Sequence, residues 1–538
     1  MTGRSSESAV PGSRATTGRA TSLIPPNPPP SLFRRSVILG CIAYYLIAGF
    51  GIAFTKATFT DEGWFTGIAY RFATTGHMGS PTLAPFGFSS WLPQVRDYTY
   101  WVLPGYFLFL TPWIKAVGCT LLTARALSLI FGLCLILVWY RLIFTLTQRQ
   151  DVALLALALG SVDLMTIVRC SQARMDSLSV LTTFAAFLVY LSQRDKSPSR
   201  ALFLGNLLAA FGMMVHPNGV FGVAGMALLA FYDRKSLNLK RIACFVSPYL
   251  IIGCAYAFYV LQAPDVWRQQ LGGHAADRAG GLWHPLSAIA NELRGRYFTS
   301  FGFSPNASAS RKLLILTLVP YWLAPLVCLF SSRIRKLPGM GFLLSMFLVI
   351  QIYFTFFEGT KYYAYLLHIM PYYTCFVAIA AMHFMRQYVK WRSTIIVALV
   401  GLILFQIGGA FMMIRQNLAF NVYREISRRM DVPALIARGE TVMASSEFGF
   451  YFGFDRVRDD RSLSYVTTAQ PLYAIIPVDP PSRMREEAEK WAPLVDATLR
   501  NCYSAPEEIG GYRLYRRNDS CAKIAVREDA DGIAGTAH

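Results

Sequence analysis

Two adjacent carboxylates, Asp61 and Glu62, follow the first long apolar run of the chain, in the stretch FTDEGW. A carboxylate at the edge of a membrane is costly unless it is hydrated, paired or bound to a ligand. In a water-filled hollow it can act as a general base toward a hydroxyl or amine, or hold a divalent cation. The alternative is a helix cap, because Thr60 and Asp61 precede a helical pattern and acids favour helix starts.

Other polar residues recur where apolar runs end. They are Asp97, Arg125, Arg174, Asp176, His216, Lys361, Tyr362 and Tyr363. A cation at this boundary can hold a phosphate whose lipid tail stays in the bilayer. The alternative for a lone Lys or Arg is that its side chain reaches the headgroups without any specific partner.

Simpler alternatives stand beside three of these candidates. Asp97 could pair with Arg96, and Lys361 could pair with Glu358. His216, in the turn HPNG, could donate to a phosphate or sugar, or could pack within the turn. Asp163 lies inside an apolar run, and we expect it to pair with a neighbouring helix.

The composition predicts an all-α polytopic membrane protein. Of the 538 residues 54% are hydrophobic and only 15% are charged, whereas a soluble chain carries about a quarter charged residues. Eleven apolar runs approach the length needed to cross a bilayer. They lie near 35–57, 121–146, 152–169, 176–193, 200–215, 217–232, 241–262, 312–331, 339–357, 362–384 and 393–414.

The distribution of positive charge predicts the orientation in a plasma or inner membrane. Arg34 and Arg35 precede the first span, which places the N-terminus in the cytoplasm. Alternation then puts five basic loops inside, namely 148–150, 193–200, 233–241, 331–336 and 385–392. The net charge of +20 is therefore interpreted as topology and contact with membrane lipid, and no nucleic-acid partner is expected.

The chain is expected to divide into three parts. Residues 1–31, rich in Ser, Thr, Gly, Arg and Pro, form a disordered tail. Residues 32–415 form the transmembrane domain, with outer loops at 58–120 and 263–311. The apolar segment 99–117 is interpreted as a re-entrant or interfacial helix, because an extra span there would break the charge alternation.

Residues 416–538 change in character and are expected to form a small α/β domain outside the cytoplasm. Helices are predicted at 422–439 and 482–502, and strands at 441–446, 473–478 and 511–517. Cys502 and Cys521 lie in this polar region, and we expect them to form a disulfide in an oxidising compartment.

The order of several short motifs resembles a known superfamily. After the first span come DEGW, YWVLPGYFLFLTPWIKAVG, TARALSLIFG, ARMD, HPNG and KYYAYLLHIMPYY. This order resembles the GT-C superfamily of polytopic glycosyltransferases, in the branch with protein O-mannosyltransferases and lipid A aminoarabinose transferases. The resemblance covers about residues 35–415.

The resemblance implies an inverting transfer of a sugar from a polyprenyl-phosphate donor to a glycan, lipid or protein acceptor, on the extracytoplasmic face. By similarity, Asp61 is the base and Glu62 supports it or orients substrate. Arg125, Lys361 and Arg174 face the donor phosphate. Substrate contacts are expected from Asp97, His216, Tyr362 and Tyr363. No cofactor is firmly expected, and dependence on a divalent metal stays open.

Two other function classes fit the composition. A transporter or lipid-carrier flippase would also be polytopic, although such proteins usually carry polar or broken helices at mid-membrane. A GT-C scaffold that has lost its activity and serves in binding is the third interpretation. The gathering of polar residues at one predicted face favours the transferase.

Overall fold

The structure is a computed structural model that describes residues 31–83, 92–278, 284–302, 312–460, 462–479, 489, 492–519 and 521, without the side chains of 273–278. Nearly all of the predicted disordered tail, 1–31, lies outside the described residues. The first part of the predicted tail helix 482–502 also lies outside them, apart from residue 489.

The described part of the chain is mainly helical. The α-helices are α1 (Ser31–Thr55), α2 (Thr60–Thr75), α3 (Phe107–Val117), α4 (Leu121–Thr147), α5 (Gln150–Val162), α6 (Leu164–Cys170), α7 (Asp176–Gln193), α8 (Pro198–Val215), α9 (Val220–Tyr232), α10 (Leu239–Val260), α11 (Pro264–Arg278), α12 (Pro285–Asn291), α13 (Leu318–Phe330), α14 (Ser332–Arg335), α15 (Met340–Ile352), α16 (Met370–Gln387), α17 (Arg392–Ala419), α18 (Val422–Arg429), α19 (Val432–Ala437), α20 (Gly449–Phe452), α21 (Ser464–Thr468) and α22 (Ala492–Cys502).

Shorter helical turns connect or extend these helices. The 3₁₀ turns are Pro104–Tyr106, Pro217–Gly219, Arg234–Ser236, Leu313–Thr317, Tyr363–His368, Val389–Trp391 and Ser446–Phe448. Two segments are π-helical, Glu292–Phe298 and Tyr353–Phe357. The π-helix is rare and often marks a functional site.

The chain is a multi-pass membrane protein. Within the described residues, 8 helices are long and apolar enough to cross a bilayer, or 9 if the bent pair α5–α6 is one span. The sequence predicts eleven spans, and each of the eleven lies in helix. The nine helices leave out two of the eleven predicted spans. Helix α7 is not among the helices long and apolar enough to cross, and α9 is shorter than 18 residues even when its preceding turn is included.

The break between α5 and α6 has a local cause. Asp163 ends α5 and caps α6, accepting a hydrogen bond from the Thr166 N–H at 2.7 Å. The two helices are bent by 61° at this point. The Tyr321 hydroxyl, on α13, donates to the other carboxylate oxygen at 2.6 Å. The expected pairing of Asp163 with a neighbouring helix is therefore confirmed.

Helix α3 is too short to cross a bilayer. Its 11 residues rise about 16 Å, roughly half of a hydrocarbon core. It packs against α2 in a shared apolar cluster that includes Phe65, Ile68, Phe107 and Leu110. The interpretation of 99–117 as something other than a span agrees with this length.

The C-terminal part contains one mixed five-stranded sheet. Its strands are β1 (Val442–Met443), β2 (Val457–Arg458), β3 (Tyr473–Pro477), β4 (Glu507–Ile509) and β5 (Tyr512–Arg516), in the order β2-β1-β3-β5-β4. β1 pairs in parallel with β2 and β3, whereas β5 pairs antiparallel with β3 and β4. We call residues 422–521 the C-terminal domain.

The elements of this domain agree in part with the predicted ones. Three predicted strands correspond to β1, β3 and β5, and Cys502 is joined to Cys521 by a disulfide as expected. The predicted helix over 422–439 is two helices, α18 and α19. The break is at Asp431, whose side chain accepts from the Ala434 N–H at 3.0 Å and starts a new helix.

Candidate functional site

Helix α2 presents the two adjacent carboxylates in opposite ways. Asp61 and Glu62 lie in its first turn, where the partial positive charge of a helix start favours acids. Consecutive residues of an α-helix point about 100° apart. The Asp61 side chain is 18% exposed and that of Glu62 is 0% exposed, so the two neighbours do not share a site.

Glu62 forms a closed pair with Arg125 of α4. Arg125 Nε and Nη2 donate to the two carboxylate oxygens at 2.7 and 2.6 Å. The N–H groups of Phe59 and Ala173 also donate to Glu62, at 2.9 and 2.8 Å. Burial alone raises the pKa of Glu62, but the charge and hydrogen bonds of Arg125 outweigh it, and the pKa is lowered.

The remaining donors of Arg125 are also used within the protein. Its Nη1 donates to the carbonyls of Ala53 and Lys56 at 2.6 and 2.9 Å, and its Nη2 donates to Ala57 O at 3.0 Å. A guanidinium has five N–H groups, and all five are satisfied. Arg125 therefore has no donor left for a phosphate in this structure, and the arrangement does not favour the predicted phosphate role.

The same geometry does not favour the predicted catalytic role of Glu62. Four hydrogen bonds occupy its two oxygens, and no part of the side chain is exposed. A group that cannot meet a substrate cannot move its proton. Glu62 supports Asp61 only indirectly, because it joins the start of α2 to α4 and to the chain before α7.

Asp61 belongs to a second cluster, which is open. Its carboxylate contacts Arg174 Nη1 and accepts a hydrogen bond from the Tyr362 hydroxyl at 3.0 Å. Arg174 Nη1 also lies 3.2 Å from the Tyr362 oxygen. All three residues are candidates predicted from the sequence, and the structure brings them together.

Arg174 links Asp61 to a deeper acid. Its Nε donates to Asp176 Oδ2 at 2.8 Å, and its guanidinium lies 4.9 Å from the centre of the Tyr362 ring. Burial lowers the pKa of Arg174, but the charge and hydrogen bond of Asp176 together with the nearby Tyr362 and Tyr365 outweigh it and raise the pKa overall. The guanidinium is therefore a permanent cation placed between two carboxylates.

Lys361 lies in a separate buried network. Its ammonium donates to the carbonyls of Phe354 and Thr355, both at 2.7 Å, and lies 3.5 Å from Glu292 Oε2. An ammonium has three donors, of which two are used by the carbonyls, and the charge is balanced by the ion pair with Glu292. The predicted phosphate role of Lys361 is not supported, and Glu358 has a different partner.

That partner is Arg296, which was not among the candidates from the sequence. Its Nε and Nη2 donate to Glu292 and Glu358 at 2.6 and 2.5 Å. Its Nη1 donates to the backbone carbonyl of Tyr362 at 2.6 Å. Arg296 and Glu292 lie in one π-helical segment, and the carbonyls that accept from Lys361 lie in the other. The network thus holds the backbone that carries Tyr362.

Two further candidates lie outside the open cluster. Asp97 is 57% exposed and pairs with Arg71 at 2.9 Å, rather than with Arg96. His216 is buried, and its Nδ1 accepts from the Asn218 N–H at 3.0 Å. Its ring centre lies 5.0 Å from that of Tyr365. His216 is therefore the packed turn histidine that the sequence left as the alternative.

A cavity of about 470 Å³ is lined by Phe59 and Tyr363, which lie close to Asp61 and Tyr362 in the chain, while Asp61, Arg174 and Tyr362 themselves are not part of its lining. Tyr363, adjacent to Tyr362, lines it, and the Arg169 guanidinium stacks 4.3 Å from the centre of the Tyr363 ring. Cations, polar groups and apolar groups share the wall. The lining is Lys56, Ala57, Thr58, Phe59, Val168, Arg169, Gln172, Thr299, Ser300, Gly302, Leu314, Tyr363, Gly409, Met412, Met413, Gln416 and Asn417.

The positively charged and the apolar residues of the cavity lining come from different parts of the chain. Lys56 and Arg169 bring positive charge from the ends of α1 and α6, whereas Leu314, Met412 and Met413 come from membrane-spanning segments. Neither cation was among the candidates from the sequence. The signal was present, because each ends a predicted span on the same side as Asp61, the rule that selected Arg174.

The described residues contain no group of three or more His, Cys, Asp or Glu side chains arranged to hold a metal ion. The residues of the open cluster are two carboxylates with one arginine between them. A guanidinium already supplies the positive charge that a cation would bring there.

Comparisons with solved structures identify the fold. ArnT from Cupriavidus metallidurans, bound to undecaprenyl phosphate, matches with a TM-score of 0.58 at 12% identity, over 90% of this chain and 98% of that one. The oligosaccharyltransferase of Archaeoglobus fulgidus matches with a TM-score of 0.55 at 11% identity, over 92% of this chain and 76% of that one.

The mycobacterial arabinofuranosyltransferase AftD matches with a TM-score of 0.50 at 13% identity, over 90% of this chain and 40% of that one. No family model matches the sequence, and no curated protein sequence matches it. The three similar structures are GT-C glycosyltransferases, and the resemblance to the GT-C fold is confirmed.

Proposed function

We propose that the chain is a membrane glycosyltransferase that moves a sugar from a polyprenyl-phosphate donor to an acceptor on the extracytoplasmic face. The observation that carries the proposal is the meeting of Asp61, Arg174 and Tyr362 beside a cavity with a cationic part and an apolar part. A lipid-linked sugar phosphate has the same two parts, a charged head and an apolar tail.

The donor phosphate would bind near Lys56 and Arg169, with Tyr363 alongside. Arginine and lysine are the usual partners of phosphate oxygens. The apolar lining from Leu314, Met412 and Met413 would hold the start of the lipid tail. These residues replace Arg125 and Lys361 as the proposed phosphate ligands. The ArnT structure named above contains undecaprenyl phosphate, which agrees with this class of ligand.

Asp61 would act as the general base. It removes the proton from the acceptor hydroxyl or amine while the acceptor atom bonds to the anomeric carbon of the sugar. The bond between that carbon and the phosphate oxygen breaks, and its electron pair leaves with the lipid phosphate. Direct displacement inverts the anomeric configuration. Lys56 and Arg169 stabilise the negative charge that the phosphate gains.

Arg174 and Tyr362 orient Asp61 for this step. The Tyr362 hydroxyl donates to the carboxylate and fixes its orientation. When Asp61 takes up a proton, Arg174 keeps its pairing with Asp176. The cluster therefore stays close to electrically balanced through the reaction, with the loss of only one ion pair.

The proposed orientation places the N-terminus in the cytoplasm and the C-terminal domain outside it. The charge alternation of the loops supports this orientation. The Cys502–Cys521 disulfide agrees with an oxidising compartment.

A transfer assay with a panel of polyprenyl-phosphate pentoses and hexoses tests the proposal. Lys56→Gln and Arg169→Gln should each raise the KM for the donor by roughly 10-fold, the weight of one charge-assisted bond. Arg141→Gln is the matched control, because Arg141 is exposed and lies on α4 about 24 Å along the helix from Arg125. Transfer from none of the donors, or an equal KM in all four proteins, contradicts the proposal.

A further inference from the structure

The C-terminal domain packs directly on the helix that carries Asp61. Gly63, two residues after Asp61, faces the backbone of Ser446 and Glu447. A Cβ at position 63 would lie 2.3 Å from Glu447 N and 2.4 Å from the carbonyl carbon of Ser446. These are backbone atoms, which cannot move aside as a flexible side chain can. Only glycine fits the observed approach.

A buried carboxylate of the C-terminal domain joins the two parts. Asp459 Oδ2 accepts from the Trp64 indole N–H at 3.0 Å, and from the Ser446 N–H and hydroxyl at 3.0 and 2.8 Å. Asp459 is 3% exposed. Its own N–H donates to Thr82 O at 2.7 Å, and the Thr82 hydroxyl lies 2.7 Å from that of Ser446.

Contacts continue along both sides of this junction. The Tyr70 hydroxyl, one turn and a half further along α2, donates to Asp455 at 2.6 Å. Arg424 donates to the Phe54 carbonyl, at the end of α1, at 3.1 Å. The domain therefore contacts the start of α2, the middle of α2 and the chain that follows α2.

We infer that the C-terminal domain is a positioning part of the active site, in which Asp459 and Ser446 hold α2 through Trp64 and Gly63 so that Asp61 meets Arg174 and Tyr362. The inference rests on the proposed role of Asp61 as base. Each residue of DEGW then has a separate role, in which Asp61 faces the open cluster, Glu62 binds Arg125, Gly63 admits the domain and Trp64 anchors it.

The geometry explains why α2 needs the Trp64–Asp459 hydrogen bond as well as the Glu62–Arg125 pair. Glu62 and Arg125 fix the start of α2 to the membrane bundle, and α3 packs on its apolar side, but apolar contacts are non-directional and leave small rotations of the helix open. The Trp64–Asp459 bond fixes a second point, one residue beyond Gly63. A displacement of about 1 Å in a reacting group can cost roughly 100-fold in rate, so the second point controls turnover more than donor binding.

The test compares two indole hydrogen bonds. Trp64→Phe removes the donor to Asp459 and keeps a ring, and Asp459→Ala removes the acceptor. Trp113→Phe is the matched control. The Trp113 indole also donates a hydrogen bond, at 2.8 Å, but its acceptor is Thr123 O, which is not in the C-terminal domain. Each protein is assayed for kcat and donor KM, normalised to folded protein, and hydrogen exchange is measured over 60–75.

Trp64→Phe and Asp459→Ala should lower kcat by roughly 10- to 100-fold, leave the donor KM within about twofold, and raise hydrogen exchange in α2. Trp113→Phe should keep the wild-type kcat. Wild-type kcat in both Trp64→Phe and Asp459→Ala, while Asp61→Asn is inactive, overturns the inference and leaves the proposed function standing.

Failure of the proposed function gives a different pattern, in which Asp61→Asn keeps full transfer or the wild-type protein transfers no sugar. Hydrogen exchange then decides the inference on its own. Unchanged exchange over 60–75 in Trp64→Phe and Asp459→Ala overturns it, and raised exchange supports the holding of α2 by the domain.

Discussion

Two arginine–carboxylate pairs meet near the start of α2, and they differ in how many hydrogen-bonding positions the protein fills. In the pair of Glu62 with Arg125, every donor of the arginine and both oxygens of the acid are occupied. In the pair of Asp61 with Arg174, the carboxylate is partly exposed beside a cavity. Two neighbouring carboxylates, each paired with an arginine, thus differ in whether the pair leaves room for a ligand.

The difference gives a rule for interpreting charged clusters at a membrane boundary. A saturated buried pair fixes elements together and gains little from any further ligand. A pair with unfilled positions can exchange a protein contact for a substrate contact. Lys361 and Arg296 are closer to the first kind, because each is buried and donates to carbonyls or carboxylates of the protein.

The two pairs can be distinguished by neutralising each carboxylate in turn, first Asp61 and then Glu62. Asp61→Asn keeps the shape of the side chain and removes the base. Transfer should fall by roughly 10²- to 10⁴-fold, with an unchanged unfolding temperature. Initial rates on equal amounts of folded protein provide the measurement, and full activity would contradict the assignment of the base.

Glu62→Gln should show the opposite pattern. It leaves the Arg125 guanidinium buried without a balancing charge, which costs about 3–5 kcal/mol of stability. Thermal unfolding in detergent should show the loss directly. The fraction that remains folded should keep part of its transfer activity, unlike Asp61→Asn. A stable but inactive Glu62→Gln protein would place Glu62 in the chemistry after all.

The third prediction concerns a buried acid of the C-terminal domain. Burial and the charge of Asp459 raise the pKa of Glu447 to about 7, from 4.5 in an unfolded chain. Between these values the folded state binds more protons than the unfolded state. The stability that protonated Glu447 contributes is therefore full below pH 4.5 and is lost as the pH rises toward 7, by about 3 kcal/mol.

Glu447→Gln should remove this pH dependence. The opening free energies of β1 and β3, obtained from hydrogen exchange after division by the intrinsic amide exchange rate at each pH, should differ between about pH 5 and about pH 8 in the wild-type protein and be nearly equal in the variant. The Tyr423 and Ser445 hydroxyls, which lie 3.0 and 2.8 Å from Glu447 Oε1, can donate to an amide oxygen as well. An equal pH dependence in both proteins would show that Glu447 is not the titrating group.

The smallest effect is expected at Asp97. Its pair with Arg71 is at the surface, where such pairs contribute about 0–1 kcal/mol. Asp97→Asn should change stability by less than about 1 kcal/mol and leave the transfer rate within about twofold. A large loss of transfer would extend the reacting region beyond the open cluster and make Asp97 a substrate contact again.

The sequence identified the open cluster because its residues break an apolar pattern. Asp61, Arg174 and Tyr362 each stand at the end of an apolar run, and alternation of the loops puts them on one side. Arg125 and Lys361 satisfy the same rule, but spacing does not reveal how many backbone carbonyls surround a cation. How many of their hydrogen-bond donors the protein itself takes up depends on packing, which only the folded chain displays.

The fold was predictable where the pattern is long. All eleven apolar runs are helical, and β1, β3 and β5 lie within predicted strands. β2 and β4 have 2 and 3 residues, too few to show an alternation, and β1, also of 2 residues, was found only as part of the longer predicted strand 441–446. The attachment of Asp459 to Trp64 joins positions 395 residues apart, and no local pattern carries that information.

The close approach at Gly63 sets an order in time. Helix α2 leaves the ribosome early, whereas its seat at Ser446 and Glu447 is made nearly four hundred residues later. A growing chain therefore spends most of its synthesis with Asp61 on a helix that lacks its contact with the C-terminal domain. Competence for sugar transfer should arrive last, as a final step of maturation, and a chain that stops short of the domain should insert in the membrane without acquiring it.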